Sequence, residues 1–242
     1  MKTEHRKTSR RLPAAIWAFA RAEVVLLASL AVIAAAVLVF IEIADEMMEG
    51  EAHGFDMAVL QALHPDPGNP SDPVGPFWLD HAAADLTSLG SVSVLAAIAL
   101  LAGGFLMLRR KWVETALIAV AFAGGLTISQ TLKTVFNRER PPEDYRAAEI
   151  LNASFPSGHA LLSAVVFLTL GAMLAQAAKG RALRIYVMAA AIALTVIVGV
   201  SRIYLGVHWA TDVLAGWAAG AAWGTGCWLV GRWLVNGPGT AA

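Results

Sequence analysis

Charge and cysteine are what this 242-residue chain has least of. Charged residues make up 15% of it, against about 25% in soluble domains, and the formal net charge is zero. With no basic excess, nothing in the composition points to nucleic acid as a partner. The single cysteine, Cys227, excludes an intrachain disulfide framework and reads as a small buried hydrophobe within an apolar run. Lysine and arginine are missing altogether from residues 42–85, which carry acidic side chains from Glu42 to Asp85. What fills the chain instead is apolar: 57% hydrophobic residues and a mean hydropathy of +0.61. This is a membrane protein.

The apolar runs divide it into six spans. Residues 1–12 are basic, and Pro13–Glu23 forms an interfacial lead-in. Val24–Ile41 follows with Ser29 as its only polar member. At 18 residues it exceeds the apolar region of a cleavable signal peptide, about 7–15 residues, and is long enough to cross a bilayer. Five prolines between Pro65 and Pro76 exclude a regular helix there. Phe55–Leu63 has helical spacing and suits either a helix on the membrane surface or one packed over the spans. Further spans are expected at Leu86–Leu108, Thr115–Phe136, Ala160–Ala178, Ile185–Val200 (extending to Tyr204) and Val213–Val235. The last is rich in small residues that permit close helix approach. The expectation is an all-α, six-span transmembrane bundle with a short extracytoplasmic interfacial segment. The single domain covers 24–235, between a basic tail with its lead-in (1–23) and a C-terminal tail (236–242).

Basic residues fix the orientation. The amino terminus, Arg109–Lys111, the 179–184 loop and Arg232 all fall on one side of a six-span chain, which is then the cytoplasm of a cell (inner) membrane, with both termini inside. Lys133, Arg138, Arg140, Arg146 and Arg202 fall on the other side, where topology does not call for them. Ionisable groups at that depth are costly and mark a functional site.

Parity brings four segments to that face: Lys133–Pro141, Phe155–His159, Ser201-Arg202 and His208–Asp212. Pro156-Ser157-Gly158 opens the fourth span as a helix start, whose free N–H groups and dipole suit an anion such as phosphate. His159 stands one residue inside it, where it could exchange a proton with a ligand. Lys133, Arg140 and Arg202 are three cations with little local acidic compensation. Each alone would suit snorkelling to headgroups; together they suit a bound anion. His208 and Asp212 are four apart and share a helix face. The pair suits a carboxylate-oriented imidazole base or nucleophile, a purely structural hydrogen bond, or metal ligation, the last discouraged by the cations around it. Arg138 and Arg146 read as headgroup contacts or as solvated loop residues. The Asn152-Ala-Ser154 glycosylation pattern stands too close to this site to be used.

Three stretches together resemble a known family. Lys133-Thr-Val-Phe-Asn-Arg-Glu-Arg140-Pro141, Pro156-Ser-Gly-His159 and Ser201-Arg202-(five residues)-His208-(three residues)-Asp212 are similar to the ordered signature of the type 2 phosphatidic-acid phosphatases. That superfamily also includes soluble vanadium haloperoxidases, and the hydrophobicity here resembles the membrane branch. The resemblance implies catalytic roles for His208 as nucleophile, Asp212 as its orienting partner and His159 as acid and base. It implies phosphate binding by Lys133, Arg140, Ser157, Gly158 and Arg202, with no metal and no other cofactor. The implied activity is hydrolysis of a lipid phosphate or diphosphate at the outer face. Phosphatidic acid, phosphatidylglycerophosphate, undecaprenyl diphosphate and lipid A phosphates are the candidate substrates. A phosphotransferase using the same site is the alternative, and a transporter fits less well because the charges gather at one face. Oligomeric state and the role of the acidic 42–85 stretch are not legible in the sequence.

Overall fold

The computed structural model describes residues 11–147 and 152–236, with side chains over 23–147 and 152–235. The outermost basic residues (1–10) and the tail beyond Asn236 lie outside the described residues. Among those described, the elements are helical: α1 (Arg11–Glu49), α2 (Ala52–Leu63), α3 (Phe77–Ser88), α4 (Val92–Leu108), α5 (Trp112–Phe136), α6 (Gly158–Ala177), α7 (Arg181–Tyr204) and α8 (Ala210–Asn236), with a 3-10 turn at Glu143–Tyr145. Spanning length and hydropathy are met by α1 over Glu23–Glu49, by α5, α6 and α7, and by α8 over Ala210–Val235. The bent pair α3–α4 meets the same criteria when its two helices are taken together, which makes five spans, or six with the pair counted as one. The protein is a multi-span, all-α membrane protein.

Helix α6 is the axis of the bundle. Every residue from Ala160 to Phe167 is buried, as expected of a helix apolar on all sides. Leu161, Leu162 and Val165 form the main core with Leu95 on α4, Ala121 on α5 and Val198 on α7. Helices α7 and α8 flank α6, and α1 lies along α8. Large apolar side chains of α1 such as Val24, Leu27 and Leu38 point outward, which suits a surrounding of lipid.

Two expectations are revised and one open alternative is decided. The lead-in Pro13–Glu23 and the first span are one continuous helix that runs on through the acidic Glu42–Glu49. The second span is not a single helix over Leu86–Leu108: the chain turns by 48° between α3 and α4. The reason is a close approach to two other helices. A Cβ on Gly90 would lie 2.3 Å from Val198 Cγ1 and 3.3 Å from His159 Cβ, so the backbone passes close against α7 and α6 there. Ser91 then restarts the helix, its Oγ accepting the Val94 N–H at 3.3 Å. Of the two readings of Phe55–Leu63, the helix packed over the spans is the one observed. Asp56 and Leu60 are buried against the bundle while Phe55 is exposed.

Candidate active site

The four convergent segments meet at one end of the bundle, and the start of α8 organises them. Trp209 precedes the first helical residue, and Asp212 reaches back so that its Oδ2 accepts the Trp209 N–H at 3.0 Å. This is half of a capping box, and the carboxylate also sits in the first turn where the helix dipole favours it. Asp212 is fully buried. Its Oδ2 also faces His208 Nδ1 at 3.3 Å and accepts the Ser154 hydroxyl, while its Oδ1 takes Arg138 NH1 at 2.6 Å. The P-S-G-H turn is tied to the same point through its backbone: the Ser157 N–H donates to the Asp212 carbonyl at 2.9 Å.

On the other side of the imidazole, Arg140 NH1 lies 3.2 Å from His208 Nε2. A guanidinium has only donors, so Nε2 presents its lone pair and Nδ1 carries the proton toward Asp212. The remaining Arg140 donors reach Val207 O at 2.5 Å, Asn152 O at 2.8 Å, Asn152 Oδ1 at 2.7 Å and Ala153 O at 3.2 Å. Arg140 thus joins the 137–156 loop to the loop carrying His208. Lys133, buried in the last turn of α5, donates to Ala153 O of the same loop. Asn137, which ends that helix, takes the left-handed conformation at φ 41°, one that asparagine tolerates better than most residues.

Burial first, and then the positive charges of Arg140, Arg202 and Lys133, hold the His208 imidazole well below its usual range. It is therefore neutral at physiological pH. Burial also brings Arg140 down to about 10, opposed by the attraction of Asp212, so it remains charged.

Arg202 is buried at the end of α7, with NH1 on Thr87 Oγ1 at 3.1 Å. Its Nε and the Ser157 Oγ are buried without a hydrogen-bond partner, and such groups carry a desolvation penalty until something pairs with them. The cations outnumber the acids. Lys133, Arg138, Arg140 and Arg202 face Asp56 and Asp212, and the two positive charges left over equal the charge of a phosphate monoester dianion. Gly158 keeps the approach narrow, since a Cβ there would lie 3.1 Å from Ser129 Oγ. An open cleft of about 920 Å³, lined by His53, Arg138, Arg140, Arg146, Asn152 and Trp209, adjoins this cluster. Among the described residues no three of His, Cys, Asp and Glu are arranged to hold a metal ion.

The structure brings together His159, Ser157, Gly158, Lys133, Arg140, Arg202, His208 and Asp212, all named from sequence. It corrects the reading of Arg138, which is neither a headgroup contact nor a solvated loop residue. Its side chain is 12% exposed and bridges Asp56 at 2.7 Å and Asp212 at 2.6 Å. Arg146 is also largely enclosed, its Nε on Pro141 O at 2.5 Å. Sequence reasoning missed Asp56, Thr87, Asn152 and Ser154. The last two lie within the glycosylation pattern, and their nearness to Pro156 was the available signal.

Comparison with known proteins bears on the family and the fold. A family model described as the PAP2 superfamily matches residues 112–235. Phosphatidylglycerophosphatase B of Bacillus subtilis is 33% identical over 147 residues, which cover 59% of this chain and 70% of that protein. Among solved structures, a transmembrane PAP2-type phosphatidylglycerolphosphate phosphatase from Bacillus subtilis superposes with a TM-score of 0.73 at 24% identity, covering 87% of this chain and 98% of that one. Aquifex aeolicus LpxE superposes with a TM-score of 0.53 at 24% identity, covering 73% and 93%. At that identity the two structures speak for the fold.

Proposed function

Because the chain belongs to the PAP2 superfamily and is a membrane lipid-phosphate hydrolase, we propose that it works through a phosphohistidine on His208, without a metal ion, at the outer face of the membrane. The observation that carries this reading is the Arg140 N–H on His208 Nε2 at 3.2 Å. It puts the nucleophilic lone pair among the cations that would hold a phosphoryl group.

The substrate's phosphoryl oxygens take over donors from Arg140 and Lys133 and pair with the Ser157 hydroxyl, the Gly158 N–H and Arg202 Nε. His208 Nε2 then attacks phosphorus in line. As the N–P bond forms, the P–O bond to the lipid breaks, and His159, which takes up its proton together with the negatively charged substrate phosphate, gives that proton to the departing oxygen. Asp212 accepts the Nδ1–H and stabilises the charge on the ring. In the second half, His159 takes a proton from water, the hydroxide oxygen attacks phosphorus, and the N–P bond breaks to release phosphate. Fixed cations aimed at the phosphoryl oxygens supply most of what such a transfer needs.

Arg109–Lys111, Lys179, Arg181, Arg184 and Arg232 gather at the end of the bundle away from the site, which supports an extracytoplasmic site under the positive-inside rule. The likeness to phosphatidylglycerophosphatase B makes phosphatidylglycerophosphate the first substrate to test, ahead of phosphatidic acid, undecaprenyl diphosphate and lipid A phosphate. The experiment is phosphate release from these lipids in detergent micelles with excess EDTA, comparing wild type with His208→Ala. Release that resists EDTA and disappears in the variant is expected. EDTA-sensitive release, or turnover retained by His208→Ala, overturns the mechanism.

A further inference from the structure

The acidic stretch between the first two spans has one member that is not acidic surface. Asp56, in the second turn of α2, is completely enclosed, and both of its oxygens are engaged at the start of α8. Its Oδ1 accepts the Thr211 N–H at 3.0 Å, and its Oδ2 accepts the Thr211 hydroxyl at 2.6 Å and Arg138 NH2 at 2.7 Å. Thr211 N–H is one of the first-turn donors that an α-helix cannot satisfy internally, so Asp56 caps α8 from another helix. Arg138 in turn spans the two carboxylates. Its NH1 reaches Asp212 Oδ1 at 2.6 Å and Thr211 Oγ1 at 2.8 Å, and its guanidinium lies 5.6 Å from the Trp209 ring centroid.

The consequence for Asp212 is orientational. Its Oδ2 is the oxygen that faces the His208 ring, and Oδ1 is the handle by which the carboxylate plane is set. Arg138 grips that handle, yet it sits in a loop just past the end of α5 and needs an anchor of its own. Asp56 is that anchor. We infer that Asp56 and Arg138 are positioning residues that act through Asp212: α2 clamps Arg138, Arg138 fixes Asp212 Oδ1, and Asp212 thereby holds the His208 imidazole in line for attack. This rests on the phosphohistidine reading above.

A mere helix cap and a positioning device differ in how their loss combines with loss of Asp212. Asp56→Asn and Arg138→Ala are made in the wild-type and in the Asp212→Ala backgrounds, with kcat, KM and Tm measured for each. In the wild type, each is expected to lower kcat on the order of tenfold to a hundredfold, the scale of a sub-ångström misplacement, with KM nearly unchanged. In the Asp212→Ala background neither lowers the residual turnover further, since residues acting as one unit are not additive. Added guanidinium, but not ammonium at equal ionic strength, should restore part of the Arg138→Ala rate. Equal losses in both backgrounds overturn the inference and leave Asp56 as a cap alone. A raised KM with unchanged kcat overturns it by placing Arg138 on the substrate. Arg138→Lys, which keeps the charge and loses the fork, carries the same comparison should Asp56→Asn not fold. Failure of the parent reading looks different, because His208→Ala would then retain turnover whatever Asp56 and Arg138 do.

Discussion

Gly216→Ala tests how closely the two histidine-bearing segments must be registered. Gly216 lies one turn beyond Asp212 on α8, and a Cβ there would sit 2.7 Å from the Ser157 carbonyl oxygen, 3.0 Å from Ala160 Cβ and 3.2 Å from Leu161 N. Ordinary contact begins at 3.4 Å, so about 0.7 Å must be found, and two of the three obstructing atoms, including the nearest, belong to backbone. Ser157 O cannot turn aside. It accepts the Leu161 N–H at 3.0 Å, while Ser157 N is bound to Asp212 O at 2.9 Å. The whole P-S-G-H turn therefore moves away from α8, carrying His159 and the Gly158 N–H away from His208. A misplacement of about 1 Å can cost about a hundredfold in rate, so a loss of kcat between about tenfold and a hundredfold is expected. The overpacking itself costs about 1–3 kcal/mol. Gly226→Ala on the same helix is the control, since a Cβ there meets nothing within 4 Å. Both proteins would be assayed for phosphate release in micelles and melted in parallel. Wild-type kcat in Gly216→Ala, or an equal loss in Gly226→Ala, would refute the claim that this contact sets the register of the site.

The remaining expectations concern single groups. Asp212→Asn should lose orders of magnitude in kcat while remaining folded, because the imidazolium formed on attack loses its counter-charge; wild-type turnover would make the His208–Asp212 pair structural. Ser154→Ala removes a buried hydroxyl from Asp212 Oδ2 and should cost about 1–3 kcal/mol of stability, read as a fall in Tm, together with a slower turnover. For pH, folded His208 takes up a proton only well below its ordinary value, whereas the unfolded imidazole titrates near 6.5. Its contribution to stability is therefore complete above about 6.5 and is lost as pH falls toward the folded value. Wild-type Tm should therefore fall more steeply than that of His208→Ala as pH drops below about 6.5. Parallel slopes would mean that His208 is not buried neutral. Saturating inorganic phosphate, at about a hundred times its Kd, should stabilise the fold by about 2.7 kcal/mol. Ser157→Ala should reduce that gain if its unpaired hydroxyl faces the anion.

What the sequence reveals and what it withholds divide along a physical line. The spans were legible because bilayer thickness imposes long apolar runs, and the site was legible because charges at the ends of such runs have few other uses. The eight site residues lie at span ends, where parity alone decides which of them can meet. The bend at Gly90 was not legible. Leu86–Leu108 is long and apolar enough to read as one span despite Thr87, Ser88, Ser91 and Ser93, and the break follows from the close passage against Val198 and His159, a contact between residues more than sixty positions apart. Arg138 was misread for a related reason. A loop arginine between Asn137 and Glu139 resembles a solvated one until its partners are known, and those partners, Asp56 and Asp212, come from segments far away on either side. Asp56 itself was hidden among acidic neighbours such as Asp45, Glu49 and Asp66, any of which could equally have faced water. Helical spacing places Asp56 and Leu60 on one face of α2, but only the packing of that face on α8 distinguishes a buried carboxylate that organises the site from one that merely keeps a surface soluble.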